Sequence, residues 1–328
     1  MSQAVLSLRD FRVSFHTPNG VVQAVRGVDL DVNAGEMVGV VGESGSGKSV
    51  TFLGMLGLLP STARIEGSAT VNGVEMVYVS HSTMRSVRGK QIAMIFQDPL
   101  SALNPVYRVG KQIVEMIRVH DAVPKKEAWD RAVDLLNTVG IPQPAARAEQ
   151  YPHEFSGGMR QRAMIAMALA NNPDVLIADE PTTALDVTVQ AQILEVFQRI
   201  QSELQKAVVM ITHDLGVIAR VADRVQVMYA GRAVERAGID DLFATPTHPY
   251  TRGLLDSLPR AGQERLQPIL GSPPNMLKPP PGCAFAARCK YAEPKCSADG
   301  LPELVQVGAS MSACVRVNEI DLREEVPA

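Results

Sequence analysis

The sequence lacks long apolar runs, a basic excess and an apolar leader, and each absence excludes a class of protein. No stretch approaches the roughly 20 apolar residues of a transmembrane helix, so we expect a chain that does not cross a bilayer by itself. The formal net charge is −3 with scattered basic residues, which argues against nucleic-acid binding. No basic patch followed by an apolar stretch opens the chain, so no secretory signal is predicted and a cytoplasmic location is expected.

Cysteine is absent from the first 282 residues and then occurs four times, as Cys283, Cys289, Cys296 and Cys314. In a cytosolic chain such a cluster is typical of a metal or redox site rather than a disulfide framework. The remaining composition is ordinary, with 328 residues, 46% hydrophobic and 20% charged. This length suffices for one large domain with an appendage, or for two modest domains.

The order of strand-like and helix-like segments predicts an α/β protein. Alternating residues on both sides of the Asn19-Gly20 turn predict an antiparallel edge sheet. Four short apolar runs separated by helical stretches predict a parallel core; they lie at 37–41, 91–97, 175–178 and 208–212. An all-helical insertion is expected at about 105–165, with core candidates Val133, Leu135, Leu136 and Val139. After about residue 240, frequent prolines exclude long helices and mark an appendage.

Residues 42–49 read G-E-S-G-S-G-K-S and fit the phosphate-loop pattern, after an apolar strand and before a helix. In this arrangement backbone N–H groups point at phosphate oxygens, Lys48 reaches the β- and γ-phosphates, and the Ser49 hydroxyl ligates Mg²⁺. The alternative is a glycine-rich turn without nucleotide. The predicted nucleotide contacts are Gly42, Glu43, Ser44, Gly45, Ser46, Gly47, Lys48, Ser49 and Val50.

A second apolar strand ends at Asp179 and Glu180. Ligands bind at the carboxyl ends of parallel strands, so Asp179 is predicted to hold Mg²⁺, directly or through water. Glu180 is then placed to polarise the attacking water as general base. Two acidic residues alone would more often be a solvated helix start; the phosphate loop favours the catalytic interpretation.

Residues 155–162 read F-S-G-G-M-R-Q-R, which resembles the signature of ABC-type ATPases. The usual fifth-position Gln of that signature is Met159 here, a form common in the oligopeptide branch. Ser156 can cap the following helix, and the N–H groups of Gly157 and Gly158 form a second anion cradle. The resemblance implies that two ATPase subunits pair head to tail, each ATP lying between one subunit's phosphate loop and the other's signature.

The same resemblance implies roles for several other residues. Gln97 matches the loop glutamine that touches Mg²⁺ and water, and His213 the switch histidine that contacts the γ-phosphate. Ala184-Leu185-Asp186 matches the loop that crosses the dimer interface. Phe15 lies where the family stacks an aromatic on adenine, with ordinary burial in the edge sheet as the alternative.

The C-terminal part also resembles oligopeptide, dipeptide and nickel uptake ATPases, through residues 247–255 and the cysteines. We therefore expect an ABC ATPase domain over 1–240 and an extension over 241–328. Four thiolates could hold a 4Fe-4S cluster or Zn²⁺. The wide spacing of the cysteines favours the cluster over zinc, and reduced structural thiols are the third possibility.

The resemblance implies the ATPase of an importer that couples ATP and Mg²⁺ to peptide uptake from the cytoplasmic face of the membrane. The implied partners are a second ATPase subunit, identical or related, two transmembrane permease subunits and an extracytoplasmic solute-binding protein. Nickel, glutathione or another small solute are alternative cargoes. A soluble ABC ATPase acting on ribosomes or DNA, or a regulatory subunit without turnover, are alternatives from other classes.

Overall fold

A computed structural model of the chain describes residues 4–183, 185–258 and 268–322. Among them no helix is both long and apolar enough to span a membrane. The strands are β1 (Ala4–Thr17), β2 (Gly20–Asn33), β3 (Met37–Val41), β4 (Ala63–Val71), β5 (Val74–Glu75), β6 (Ile92–Ile95), β7 (Val175–Asp179), β8 (Ala207–Thr212), β9 (Arg224–Tyr229), β10 (Arg232–Gly238), β11 (Val305–Val307) and β12 (Ser310–Ser312). The α-helices are α1 (Lys48–Met55), α2 (His81–Val87), α3 (Pro99–Ala102), α4 (Val109–His120), α5 (Lys125–Thr138), α6 (Pro144–Ala148), α7 (Gly157–Ala168), α8 (Val187–Ser202), α9 (Leu215–Val221), α10 (Ile239–Ala244) and α11 (Pro249–Asp256).

The internal contacts divide the chain into two compact units, each made of separate sequence segments. The first unit contains the residues up to 6, 31–37 and 70–211. The second contains 7–30, 38–69 and the residues from 212 onwards. The predicted boundary at residue 240 stays a prediction.

The first unit contains a parallel sheet and a helical insertion. Strands β6, β7 and β8 are parallel neighbours, with Ile92 opposite Val175 and Val175 opposite Ala207. Every residue of β7 and β8 is buried, as expected for strands covered on both faces. The insertion consists of α4 to α7, which pack on one another and confirm the predicted helical character of this region.

The core of the insertion differs in part from the prediction. Leu136 and Val139 are buried, as predicted, but Val133 and Leu135 are only half-buried. Helix α5 turns a narrower face inward, formed by Ala128, Ala132 and Leu136. These residues are four positions apart, so they lie on one helix face, and Val133 and Leu135 fall beside it.

The second unit contains the predicted edge sheet and a sheet that the sequence analysis did not foresee. Strands β2, β1 and β4 are neighbours in that order, and the two residues between β1 and β2 confirm the predicted hairpin. In the other sheet the order is β11-β12-β10-β9-β3, with β3 parallel to β9 and the remaining pairs antiparallel. The C-terminal appendage thus contributes β11 and β12 to this unit, and its described α-helices are short, as predicted.

Candidate nucleotide-binding site

The phosphate loop runs from buried β3 into α1 in the second unit, and two of its glycines are required by the surroundings. A Cβ on Gly42 would lie 2.1 Å from the Met228 carbonyl oxygen, and one on Gly47 would lie 2.6 Å from that of Ala24. Both also have positive φ, 150° and 96°, which L side chains rarely adopt. The backbone can therefore wrap closely in this place, with the loop amides directly before the N-terminus of α1.

The lysine of the loop lies inside it. Lys48 is buried, and its Nζ donates to the carbonyl oxygens of Gly42 at 2.7 Å and Glu43 at 3.0 Å. The hydroxyl of Ser46 is buried and has no hydrogen-bond partner among the described residues, a feature expected where a polar ligand completes a site. Ser44 and Gly45 are exposed, and Ser49 and Val50 are half-buried. The nine predicted residues thus form one continuous segment from the end of β3 into α1, and their binding of a polyphosphate stays a prediction.

In the first unit, the acidic pair at the end of β7 contacts the predicted loop glutamine. Asp179 is buried and Glu180 follows it with a φ of 46°, an uncommon conformation for a non-glycine residue. The Glu180 carboxylate accepts hydrogen bonds from Gln97 Nε2 at 3.0 Å and Thr183 Oγ1 at 2.9 Å. The Glu180 backbone N–H donates to the Ile211 carbonyl at 2.8 Å. The bond to β8 and the two side-chain bonds therefore fix the direction of the Glu180 carboxylate. Its positive φ is a strained backbone conformation of the kind found at many functional sites.

The signature residues begin helix α7, also in the first unit. The Ser156 hydroxyl accepts the Met159 N–H at 3.3 Å, so Ser156 caps the helix as predicted. Ser156 and Gly157 are exposed and Gly158 is half-buried. The first N–H groups of an α-helix have no partner within the helix, and at an exposed N-terminus such groups can bind anions.

Three further predicted residues are placed as follows. Asp186 is exposed and its carboxylate accepts the Val189 N–H at 2.9 Å, which caps α8; Ala184, in the same predicted loop, lies outside the described residues. In the second unit, His213 is exposed directly after β8, and Phe15 is half-buried on β1. The stacking of Phe15 on adenine stays a prediction.

The four cysteines are free thiols that line one cavity of the second unit. Burial raises the pKa of Cys283 and Cys289, and that of Cys314 to about 11. Backbone N–H groups of Phe285, Tyr291 and Arg316 reach the sulfurs of these three cysteines. No group of three or more His, Cys, Asp or Glu within the described part of the chain is placed to hold a metal ion. Zinc and an iron–sulfur cluster therefore both stay predictions.

The structure also brings two residues of the extension to the phosphate loop. The Arg288 guanidinium binds the Glu43 carboxylate, and the Tyr250 hydroxyl accepts the Glu43 N–H. Sequence reasoning missed both residues, which lie 245 and 207 positions away from Glu43. No local pattern signals a contact across such a distance.

Comparison with known proteins gives two family matches and many close relatives. The ABC transporter family matches residues 25–183. The family described as the C-terminal region of oligopeptide/dipeptide transporters matches residues 234–296. The chain is 53% identical to the oligopeptide transport ATP-binding protein OppD of Bacillus subtilis, over 88% of this chain and 82% of the relative. It is 50% identical to OppD of Escherichia coli, over 90% of this chain and 88% of the relative. It is 54% identical to the dipeptide transport ATP-binding protein DppD of Bacillus subtilis, over 88% of this chain and 87% of the relative.

A solved structure with a similar fold is a dimeric ATP-binding cassette in a post-hydrolysis state, bound to ADP and phosphate. The TM-score is 0.64 at 26% identity, and the match covers 71% of this chain and 98% of the cassette. The predicted P-loop α/β fold, with parallel core and antiparallel edge sheet, is confirmed by this similarity.

Proposed function

The chain belongs to the ABC transporter ATP-binding subunits with an oligopeptide/dipeptide C-terminal region, and we propose that it hydrolyses ATP to drive peptide uptake through separate membrane subunits. One observation carries the proposal: the chain has two helix starts built to bind anions, the phosphate loop before α1 and the Ser156-capped α7. The cargo class, oligopeptides and dipeptides, is that of the similar transport proteins OppD and DppD.

The phosphate loop binds the triphosphate of ATP. The amides from Ser44 to Val50 surround the phosphates, and Lys48 turns from the carbonyls of Gly42 and Glu43 towards the γ-phosphate. Phe15 stacks on the adenine and His213 contacts the γ-phosphate. Ser49, Gln97 and Asp179 would hold Mg²⁺, which would supply positive charge to neutralise the phosphate oxygens.

Glu180 orients the attacking water and accepts its proton. Two contacts support this role, because Gln97 and Thr183 both donate to the same carboxylate oxygen of Glu180 and so fix the direction of this carboxylate. Gln97 also links the base to the following helical insertion, so that nucleotide contact and movement of the insertion are coupled.

Hydrolysis in this proposal requires a pair of ATPase subunits. Ser156, Gly157 and Gly158 bind the γ-phosphate of ATP held on the partner, and Asp186 lies at the interface. Ser156, Gly157 and Asp186 are exposed on the first unit and Gly158 is half-buried, which supports such a role. The partner is a second copy or a related ATPase.

Two membrane permeases and an extracytoplasmic solute-binding protein complete the proposed complex, which places this subunit at the cytoplasmic face of the membrane. Large apolar side chains are exposed on or beside the helical insertion: Val106 is 71%, Tyr107 54% and Val119 66% exposed. Val106 and Tyr107 directly precede α4 and Val119 lies near its end, so both ends of this helix offer apolar surface, and cytoplasmic helices of the permeases are the proposed contact.

The test is peptide uptake and ATP hydrolysis by the complex reconstituted in vesicles. We expect Lys48→Ala and Glu180→Gln each to abolish both activities, and Lys126→Ala, which changes an exposed lysine of α5, to change neither. Labelled peptide is the first cargo, with nickel and glutathione as competitors. If the chain hydrolysed ATP equally well without the membrane subunits, and no peptide uptake accompanied hydrolysis, the transport role would be contradicted and a soluble ATPase favoured.

The four cysteines carry a separate proposal, a 4Fe-4S cluster with Zn²⁺ as the alternative. Its support is that all four thiols line one cavity and that backbone N–H groups reach three of the sulfurs, as they do around iron–sulfur clusters. Iron and zinc analysis of anaerobically purified protein decides between them. Iron with broad visible absorption supports the cluster, zinc alone supports the alternative, and neither metal leaves structural thiols.

A further inference from the structure

The N–H, carbonyl and carboxylate of Glu43, in the phosphate loop, all make hydrogen bonds. Its carbonyl oxygen accepts from Lys48 Nζ at 3.0 Å and from the Ser46 N–H at 3.2 Å. Its N–H donates to the Tyr250 hydroxyl at 2.8 Å, and its carboxylate accepts from the two terminal nitrogens of Arg288 at 2.7 and 2.9 Å. One side of Glu43 therefore faces the loop lysine and the other side faces the extension.

Arg288 is held in place independently of Glu43. Its guanidinium also donates to the Tyr229 hydroxyl at 3.2 Å and to the carbonyl oxygens of Leu270 and Ile269 at 2.9 and 3.3 Å. It lies over the rings of Tyr229 and Phe285, and only 5% of its side chain is exposed. The fork of the guanidinium therefore has one orientation, and it meets the carboxylate with two parallel hydrogen bonds.

Tyr250 is equally fixed. It is fully buried, and its ring lies 4.6 Å from that of Tyr229 and 5.4 Å from that of Phe285. Its N–H donates to His248 Nδ1, and the His248 N–H donates to the buried Glu235 carboxylate on β10. A continuous set of contacts thus runs from a strand of the second unit to the N–H of Glu43.

A buried ion pair contributes little to net stability, because desolvation of both charges offsets their attraction. Such a pair has a clear effect on geometry, because a bidentate arginine that is already held in place limits the positions that its carboxylate partner can take. The Arg288–Glu43 pair therefore acts mainly on the position of the loop, and through the Glu43 carbonyl on Lys48.

We propose that Arg288 and Tyr250 are positioning residues for the phosphate loop, which hold Glu43 and so preorganise the loop and Lys48 for the ATP phosphates. The inference rests on the proposed function, since it presumes that this loop binds ATP. According to this inference, the C-terminal extension contributes to nucleotide binding in addition to its place in the fold of the second unit. Without the clamp, ATP binding must order the loop, which lowers affinity.

The experiment measures Kd for Mg-ATP and the melting temperature on the full chain, with a fluorescent ATP analogue as probe. We expect Arg288→Met and Glu43→Gln each to weaken binding about three- to thirtyfold, and Tyr250→Phe to weaken it less. Because both variants break the same pair, the double variant should bind about as weakly as either alone. Arg252→Met is the matched control: Arg252 lies on α11 of the extension but pairs with Asp256, so its Kd should equal that of the wild type.

Unchanged Kd in Arg288→Met with a lowered melting temperature would overturn the inference, as would independent losses in the double variant. Should Arg288→Met fail to fold, Glu43→Gln decides, because it leaves the other bonds of Arg288 intact. The proposed function fails separately, if the wild type itself does not bind Mg-ATP.

Discussion

The two adjacent glycines of the signature have different surroundings, although the sequence presents them alike. A Cβ on Gly158 would lie 2.5 Å from Val189 Cγ1, whereas one on Gly157 would meet its first neighbour, Leu185 Cδ2, at 3.9 Å. Neither has a positive φ. Gly158 is therefore required by the close approach of α7 to Val189, and Gly157 is sterically free.

We expect Gly158→Ala to lower the free energy of unfolding by about 1–3 kcal/mol, as overpacked core positions do. Gly157→Ala should change it by less than about 1 kcal/mol and in the stabilising direction, because alanine loses less entropy in a helix. Thermal melting of the full chain measures both. Val189→Ala should restore part of the loss in Gly158→Ala, and equal effects of the two glycine variants would contradict the steric account.

His248 is a buried titratable residue with a direct effect on acid stability. It is 1% exposed, its Nδ1 accepts the Tyr250 N–H at 3.1 Å, and burial lowers its pKa to about 3. An unfolded histidine has a pKa of about 6.5. The contribution of His248 to the free energy of unfolding is therefore fully present above pH 6.5. As pH falls from 6.5 towards 3, only the unfolded chain takes up the proton, so the folded protein loses stability.

We expect His248→Asn to flatten the fall in stability between pH 6.5 and about 4, by up to about 1.4 kcal/mol per pH unit. Asparagine can still accept the helix-capping N–H. The neighbouring Glu235 carboxylate, whose pKa burial raises, is present in both proteins, so its contribution cancels in the comparison. Melting temperatures at pH 7.5, 6 and 5 test this, and parallel curves for the two proteins would contradict it.

At the scale of elements, periodicity predicted the buried strands well because β3, β7 and β8 are apolar up to their last residues, Asp179 in β7 and Thr212 in β8, and end at loops. It predicted less where polar and apolar residues mix. Arg224 to Tyr229 and Arg232 to Gly238 form an antiparallel pair, β9 and β10, whose strand character comes from burial and pairing rather than from alternation. Strands β11 and β12 have three residues each, too few for a periodic signal.

The C-terminal end of α5 is capped by an arginine from another helix. Arg162 on α7 donates to the carbonyl oxygens of Val139 at 2.9 Å and Gly140 at 2.8 Å, and to Gln192 Oε1 at 3.1 Å. Carbonyls at a helix end have no partner within the helix. This single side chain therefore ties α5, α7 and α8 together.

We expect Arg162→Ala to lower the free energy of unfolding by about 1–3 kcal/mol, since it removes three hydrogen bonds of a charged donor. Arg199→Ala is the matched control, because Arg199 donates a single exposed bond to the Thr138 carbonyl at the same helix end and should cost less than about 1 kcal/mol. Thermal melting ranks the two, and a larger loss in Arg199→Ala would contradict this assignment of the cap.

At the scale of the whole molecule, the order and spacing of motifs predicted that certain residues lie close together, because loops after parallel strands meet at one edge of a sheet. The contact between Gln97 and Glu180 follows from that principle, since β6 and β7 are parallel neighbours and both residues follow their carboxyl ends. The contacts of Glu43 with Tyr250 and Arg288 could not be predicted. They depend on how an extension without long helices folds back, which no periodicity encodes.

The pairing of two chains can be tested with variants that damage different halves of the shared site. In the proposed head-to-tail pair, one ATP contacts Lys48 and Glu180 of one subunit and Ser156 of the other. A mixed pair of Lys48→Ala and Ser156→Arg therefore contains one doubly damaged site and one intact site. Random mixing of equal amounts should leave about a quarter of all sites intact, so ATP hydrolysis should rise from the background of either variant to about that fraction.

The matched control is a mixture of Lys48→Ala with Glu180→Gln. Both changes act on a subunit's own ATP, so every site of a mixed pair is damaged and no activity should return. Recovery in the first mixture and not in the second requires that Lys48 and Ser156 act in trans. Recovery in neither mixture would contradict exchange between identical copies and indicate a related ATPase as the partner, whereas recovery in both would contradict the assignment of Lys48 and Glu180 to one subunit's site.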